Sequence, residues 1–172
     1  MDTQQFEVIR PKCAGLDVHK KSVVAAVCTS DPITLTASYK TKVFNTTNSD
    51  IAALCDWLLA QDCHDVCMES TGKYWIPIFN ILEPHMHVIL THPKYVKAIK
   101  GKKTDKRDAK WIANLFRFDI VKASFIPPAD IRALRELSRY RLKLSYMRTA
   151  EKNRYQNSMT CLLYTSDAAD DL

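Results

Sequence analysis

The chain has 172 residues, 47% of them hydrophobic, so it is long enough for one domain with a packed core. It contains only three glycines and seven prolines, which argues against a low-complexity chain. A formal net charge of +6 makes polyanions the expected partners, although charge alone does not identify nucleic acid. The longest apolar run, Val23–Cys28, is too short to cross a bilayer, and the N-terminus carries no secretory signal. We therefore expect no membrane association.

Three segments near the start of the chain have the composition of β-strands. They are Lys12–Val18, Ser22–Thr29 and Ile33–Phe44, and short polar links separate them. Links this short favour neighbours that run in opposite directions. The three segments are therefore predicted to form an antiparallel meander.

Helices and strands alternate after this meander. A helix is predicted first, with its N-terminal cap at Asn48, Ser49 or Asp50. The next elements are a strand at Asp65–Glu69, a helix at Lys73–Leu82, a strand at His87–Thr91, a helical turn at Pro93–Ile99 and a helix within Lys102–Leu115. The pattern predicts an α/β fold, in which helices flank a mixed five-stranded sheet.

The predicted strand order is 3-2-1-4-5. A crossover between parallel strands is right-handed, and after a three-stranded meander the free place for the fourth strand is beside the first. This order brings together Asp17, inside the first strand, and Glu69, at the end of the fourth. Ligands favour the carboxyl ends of such strands.

Two more carboxylates, Asp105 and Asp108, lie three residues apart in a predicted helix, which puts both on one helical face. Plainer roles stay open: Asp105 as the helix cap, Asp108 as a surface ion-pair partner, and Glu69 as an acceptor for backbone amides of the next loop. The basic residues in and before this helix are candidates for binding a phosphate backbone: Lys73, Lys94, Lys97, Lys100, Lys102, Lys103, Lys106, Arg107 and Lys110.

The four carboxylates are the candidate metal ligands. Packed together they repel one another, and a buried carboxylate without a partner is costly. Mg²⁺ or Mn²⁺ removes both problems, because hard cations take oxygen ligands. We therefore predict Asp17, Glu69, Asp105 and Asp108 as catalytic and metal-binding residues, for chemistry on a phosphate.

The end of the chain differs in character from the rest. Residues 129–159 contain no glycine or proline and predict a long basic helix with a thin apolar stripe. Such a helix suits a coiled-coil connector that pairs with a second copy, a nucleic-acid contact, or both. The last twelve residues, CLLYTSDAADDL, resemble a translated sequencing-library adapter, so residues 161–172 are expected to be a non-native tail. Without that tail the formal charge is +9, because 25 basic residues then face 16 acidic ones.

Three sequence blocks together resemble the DEDD transposases, insertion-sequence recombinases related to the Piv/MooV DNA invertases. The blocks are GLDVHK with Asp17, MESTGKYW with Glu69, and KTDKRDAKWIA with Asp105 and Asp108. The resemblance implies a RuvC-like, RNase H-type catalytic domain at residues 1–126 and a coiled-coil connector at residues 127–160. It also implies magnesium-dependent exchange of DNA strands in a prokaryotic cytoplasm, at the nucleoid.

The resemblance further implies a C-terminal domain with a serine nucleophile, and for some members a structured bridge RNA that guides DNA choice. No segment of this sequence corresponds to that domain, so we expect a fragment that does not complete recombination alone. Two other functions stay open. One is a RuvC-like endonuclease or Holliday junction resolvase that uses water as nucleophile. The other is a non-catalytic nucleic-acid-binding fragment.

Overall fold

A computed structural model describes residues 7–69, 72–96 and 104–161. Its centre is one five-stranded sheet in the order β3-β2-β1-β4-β5. The strands are β1 (Lys12–Val18), β2 (Ser22–Ser30), β3 (Ala37–Asn45), β4 (Asp65–Glu69) and β5 (His87–Thr91). The first three strands are antiparallel, whereas β4 is parallel to β1 and to β5. The predicted fold class and strand order are confirmed.

The helices lie between and after these strands. They are α1 (Asn48–Ala60), α2 (Trp75–Leu82), α3 (Pro93–Val96), α4 (Asp105–Arg117) and α5 (Ala129–Cys161). The cap of α1 is Thr47, whose hydroxyl accepts a hydrogen bond from the Asp50 backbone amide at 3.2 Å. The prediction that Asn48, Ser49 or Asp50 caps this helix was therefore wrong by one residue or more.

The third strand begins later than its composition predicted. The Asp31 carboxylate accepts hydrogen bonds from the backbone amides of Ile33 and Thr34, and Leu35 has a left-handed φ of 57°. These features close a turn before Ala37, so the alternating pattern at 33–36 does not form a strand.

Successive residues of β1 face opposite sides of the sheet, so every second residue faces the same side. The Cys13 thiol lies 3.5 Å from the Ala113 carbonyl oxygen of α4, and Gly15 also lies against α4. Asp17 is two residues further along the same strand, so its side chain points to the same face. The candidate site therefore lies between the sheet and α4.

Gly15 sets the distance between β1 and α4. A Cβ atom on Gly15 would lie 2.3 Å from the Ala109 carbonyl oxygen and 2.4 Å from the Ala113 backbone nitrogen. Both neighbours are main-chain atoms, so no side-chain rotation relieves such a contact. Only glycine allows the helix backbone to lie directly on the strand.

The C-terminal end of α4 is fixed by Arg117, which is buried. Its guanidinium donates hydrogen bonds to the Ser30 hydroxyl at 3.3 Å and to the Leu35 carbonyl oxygen at 3.0 Å. Its own carbonyl oxygen accepts from the amides of Ile9 and Arg10. Contacts near both ends of α4 therefore hold the helix in one position on the sheet.

The chain divides into two compact units after Phe125. The second unit contains α5, a helix of 33 residues in which no residue is buried. Within the described part of the chain, no helix is both long and apolar enough to cross a bilayer.

Gly15→Ala is expected to destabilise the protein by at least about 1–3 kcal/mol, the usual cost of overpacking, because α4 must move off β1. In a chain of this size that loss lowers Tm by roughly 2–4 °C per kcal/mol. Thermal unfolding followed by circular dichroism measures the shift.

Gly72→Ala is the matched control. Gly72 has a φ of 55°, and the atoms nearest to a Cβ there lie 3.8 Å away, so this substitution adds backbone strain without a collision. If Gly15→Ala costs no more stability than Gly72→Ala, the close approach of α4 to β1 does not limit this fold.

Candidate metal centre

Asp17 is the most buried carboxylate of the candidate site, at 5% exposure. It is the penultimate residue of β1 and pairs with Val24 of β2. Its side chain faces α4, as its register with Gly15 requires. A carboxylate in this position is out of water without lying in the apolar centre of the sheet.

His19 contacts Asp17 directly. Its Nε2 atom lies 3.1 Å from Asp17 Oδ2, and the imidazole is 44% exposed. Its backbone amide donates to the Ser22 carbonyl oxygen at 2.9 Å, in the tight link between β1 and β2. His19 follows Asp17 by two residues, so the extended chain presents both side chains on one face.

Helix α4 brings Asp105 to the same place. The helix buries Ala109, Ile112 and Phe116 against the sheet, and Asp105 lies one turn before Ala109 on the same stripe. Asp105 Oδ1 lies 3.7 Å from His19 Nε2. Because Ala113 lies beside Cys13 and Asp105 beside His19, α4 runs antiparallel to β1.

The cap of α4 is Thr104, whose side chain makes no capping hydrogen bond. The alternative that Asp105 caps the helix is therefore wrong, since Asp105 is its first residue. Asp105 and Asp108 both lie in the first turn, where the positive end of the helix dipole stabilises negative charge. Asp108 is half-buried, and its charge is close enough to act on Asp17.

One three-residue group in the described residues has the spacing of a metal site. It consists of Asp17, His19 and Asp105, whose nearest ligand atoms all lie within 4.8 Å of one another. Asp108 and Glu69 are not members of this group. The sequence prediction named Asp17 and Asp105 but missed His19. The signal was present, since a histidine two residues after a strand carboxylate shares its face.

Glu69 is the last residue of β4 and is half-buried. Leu16 of β1 pairs with Met68 of β4 in parallel register, so Asp17 and Glu69 each occupy the next position of neighbouring strands. Both therefore point to the α4 face of the sheet. The alternative role for Glu69 involves residues 70 and 71, which lie outside the described residues.

The environment of Asp17 raises its pKa above the ordinary value of an aspartate. Burial is the largest cause, because it disfavours the charged form. The charge of His19 and its hydrogen bond act in the opposite direction, while the carboxylates of Asp108 and Asp105 raise the pKa further. The net shift of the pKa is upward, so the favourable interactions with His19 do not fully compensate for the burial of the Asp17 carboxylate.

The predicted cations fall into two groups. Lys73, Lys94, Lys106, Arg107 and Lys110 are described and exposed, the last three on α4. The Lys110 ammonium lies 5.7 Å from the centre of the Tyr39 ring. The remaining predicted cations lie outside the described residues: Lys97, Lys100, Lys102 and Lys103.

Three features together define a RuvC-like fold: the strand order, the packing of α4 on the sheet, and the carboxylates at the ends of β1 and β4. A Thermus thermophilus RuvC structure resembles the chain with a TM-score of 0.51 and 16% identity, over 66% of this chain and 99% of that one. A family model described as a transposase, of the DEDD type named for IS110, matches residues 14–162. The chain belongs to this transposase family, as its three sequence blocks suggested.

Two structures of DNA complexes show weaker likeness. The T. thermophilus RuvC complex with a Holliday junction substrate gives a TM-score of 0.47 at 15% identity, over 66% of this chain and 99% of that one. A Fowlpox virus resolvase in complex with Holliday junction DNA gives 0.39 at 17% identity, over 61% and 72%. These two scores are too low to support a structural argument. No curated protein sequence matches the chain significantly.

Asp17→Asn is expected to raise the Tm of the metal-free protein by about 2–4 °C for each kcal/mol gained. A folded-state pKa above the unfolded value means that the stabilising contribution of Asp17 is present at low pH and is lost as pH rises through the folded pKa. At neutral pH the ionised carboxylate therefore costs stability, and asparagine removes that cost. Thermal unfolding at pH 7 in a chelator measures the gain.

Asp65→Asn is the control for this effect. Asp65 lies at the opposite end of the sheet, with His87 Nδ1 at 2.8 Å and Arg10 Nε at 3.6 Å. Neutralising a carboxylate that is paired with Arg10 and hydrogen-bonded to His87 is expected to leave Tm unchanged or lower it. A lower Tm for Asp17→Asn at pH 7 in a chelator would contradict the assignment of Asp17 as a destabilising charge.

Proposed function

We propose that this chain is the catalytic domain of a DNA transposase, which cleaves and exchanges DNA strands with the help of Mg²⁺ or Mn²⁺. The observation that carries the proposal is the convergence of Asp17 and Asp105 at the ends of β1 and α4, in a chain of the transposase family. The two carboxylates come from a strand and from a helix that is far away in sequence, yet they lie close together in space. Among the described ion pairs, no lysine or arginine pairs with Asp17.

The residues fit a divalent cation. Asp17 is almost fully buried, has a raised pKa, and lies near the negative charges of Asp105 and Asp108. Glu69 lies on the neighbouring strand and faces the same side. The four carboxylates Asp17, Glu69, Asp105 and Asp108 would hold the ion, which when bound supplies Lewis-acid activation of a DNA phosphate and of the attacking oxygen.

The remaining parts of the proposed site belong to the protein itself. The contact at Gly15 fixes α4 on the sheet, so the aspartates of α4 are held near Asp17 before any substrate binds. Helix α4 carries three exposed cations, Lys106, Arg107 and Lys110, which would hold the phosphate backbone of DNA or of a guide RNA. Lys73, Lys94, Lys97, Lys100, Lys102 and Lys103 would extend this contact.

We further propose residues 1–126 as the catalytic domain and residues 127–160 as a connector helix through which copies of the protein associate. Apolar side chains on α5 support the second part: Leu137, Tyr140, Leu144 and Met147 are exposed and follow one another at steps of three and four residues. A further domain with a serine nucleophile would complete strand exchange, and residues 161–172 would be the non-native tail.

Metal binding is tested with the full chain and the Asp17→Asn variant. Because only the native site holds the ion, Mg²⁺ or Mn²⁺ at 100 times its dissociation constant is expected to stabilise the wild type by about 2.7 kcal/mol. The same ion is expected to leave the variant unchanged. Calorimetric unfolding with and without metal measures the difference, and equal shifts in both proteins would remove the metal site.

Nicking of a branched DNA separates the candidate functions. Metal-dependent nicking by this chain alone, lost in Asp17→Asn, would favour a resolvase-like endonuclease that uses water. If neither protein nicks DNA but both bind it in a salt-sensitive way, two functions remain: a transposase that needs a serine domain, and a non-catalytic nucleic-acid-binding fragment. Strand exchange that begins when a serine-bearing domain is added then identifies the transposase.

The phosphate contact of α4 is tested with Lys106→Ala/Lys110→Ala. Loss of two phosphate contacts is expected to weaken DNA binding for all sequences alike and to reduce the slope of log affinity against log salt by about 1.4–1.8. Fluorescence anisotropy at several salt concentrations measures the slope.

Lys40→Ala/Lys42→Ala is the matched control for charge. Lys40 donates to Gln61 at the end of α1, and Lys42 lies over the Phe44 ring, so both are on the other face of the sheet. The control is expected to keep the wild-type slope. If both double variants change the slope equally, the α4 face is not the binding surface.

A further inference from the structure

His19 stands out among the histidines in the described residues because two aspartates approach its ring. Its Nε2 atom lies 3.1 Å from Asp17 Oδ2 and 3.7 Å from Asp105 Oδ1. His64 and His87 contact one aspartate each, Asp62 and Asp65 respectively. A ring that only lessens the cost of burying Asp17 has no need of a second carboxylate from another element.

The three atoms have the spacing of ligands that share one ion. Ligands at about 2.0–2.1 Å from an octahedral cation lie about 3 Å apart when adjacent and about 4 Å apart when opposite. The two separations from His19 fall within this range, whereas the whole group fits only within 4.8 Å, slightly beyond it. A small inward movement of exposed Asp105 is enough to close the group around an ion.

The hairpin link holds the ring in this position. The His19 amide donates to the Ser22 carbonyl oxygen at 2.9 Å, and the Thr46 hydroxyl donates to the Lys20 carbonyl oxygen at 2.9 Å. The link between β1 and β2 is therefore tied both to itself and to the segment after β3. These hydrogen bonds fix the backbone that carries the imidazole, and a fixed backbone is what a metal ligand requires.

We propose that His19 Nε2 is a direct ligand of the divalent cation, which makes the site a mixed nitrogen–oxygen centre that favours Mn²⁺ over Mg²⁺. The inference rests on the proposed metal-binding function and adds a residue outside the four carboxylates. The ligand is the neutral imidazole, with its proton on Nδ1. Mn²⁺ and Mg²⁺ both take carboxylate oxygens, but Mn²⁺, as a first-row transition metal, accepts an imidazole nitrogen more readily than Mg²⁺ does, so the nitrogen donor biases the choice of ion.

Pulsed electron paramagnetic resonance of Mn²⁺ bound to the full chain tests the proposal. A directly bound imidazole gives nitrogen modulation of the electron spin echo, and this pattern changes when the protein carries ¹⁵N-labelled histidine. We expect the modulation in the wild type. Mn²⁺ bound without nitrogen modulation would overturn the inference while leaving the carboxylate site intact.

Two matched variants assign the signal. His19→Gln retains a polar side chain but removes the imidazole, whereas His87→Gln removes an imidazole that has a similar aspartate contact at the far end of the sheet. We expect His19→Gln to abolish the modulation and to lower Mn²⁺ affinity about 10–100-fold, the range seen when supporting groups of metal sites are removed. We expect its Mg²⁺ affinity to fall less, and His87→Gln to match the wild type in all three measurements.

The remaining outcomes are also decisive. Equal losses of Mn²⁺ and Mg²⁺ affinity in His19→Gln, with the nitrogen signal retained, would show that His19 only positions Asp17, and would overturn direct ligation. Failure of wild-type protein to bind either ion would overturn the proposed metal function and this inference with it. The two failures are therefore distinguished by whether the wild type binds Mn²⁺.

Discussion

The contact between α4 and β1 at Gly15 is the constraint on which the candidate site depends. With no Cβ at this position, the helix backbone at Ala109 and Ala113 lies directly on the strand. One turn before Ala109, the same helix face presents Asp105 beside His19, two residues after Asp17. At the other end of α4, the buried guanidinium of Arg117 binds the β2–β3 region. Main-chain packing thus sets the separation of the two backbone segments that carry Asp17 and Asp105.

This arrangement places several carboxylates close together at a buried position, where burial makes the ionised form of a carboxylate unfavourable. Asp17 is held out of water with two aspartates nearby, and its raised pKa reflects that cost. The imidazole of His19 offsets only part of it. In the proposed metal centre, the stability that the metal-free protein loses by burying this charge would be regained when a cation binds, and such a loss is a common cost of functional sites.

Helix α4 also carries both kinds of charge near its N-terminal end. Asp105 lies beside His19, and Asp108 acts on the charge of Asp17, whereas Lys106, Arg107 and Lys110 are exposed on the same helix. A polyanion would meet the exposed cations, while a divalent cation beside Asp17 would meet carboxylates. One amphipathic helix in a RuvC-like fold can therefore serve both the proposed backbone contact and the proposed metal centre.

The sequence by itself predicted the strand order that is observed, because right-handed crossovers after a three-stranded meander allow β4 to pair with β1. It also predicted that Asp17 and Glu69 lie on neighbouring strands, and the register of β1 with β4 places them at the same level. Local side-chain chemistry shifted the boundaries: the Asp31 turn delays β3, and Thr47 caps α1. Only the tertiary structure decided that Asp105 and His19 meet Asp17. That meeting depends on how closely α4 approaches β1, a distance set by contacts between residues about a hundred positions apart, which no local pattern encodes.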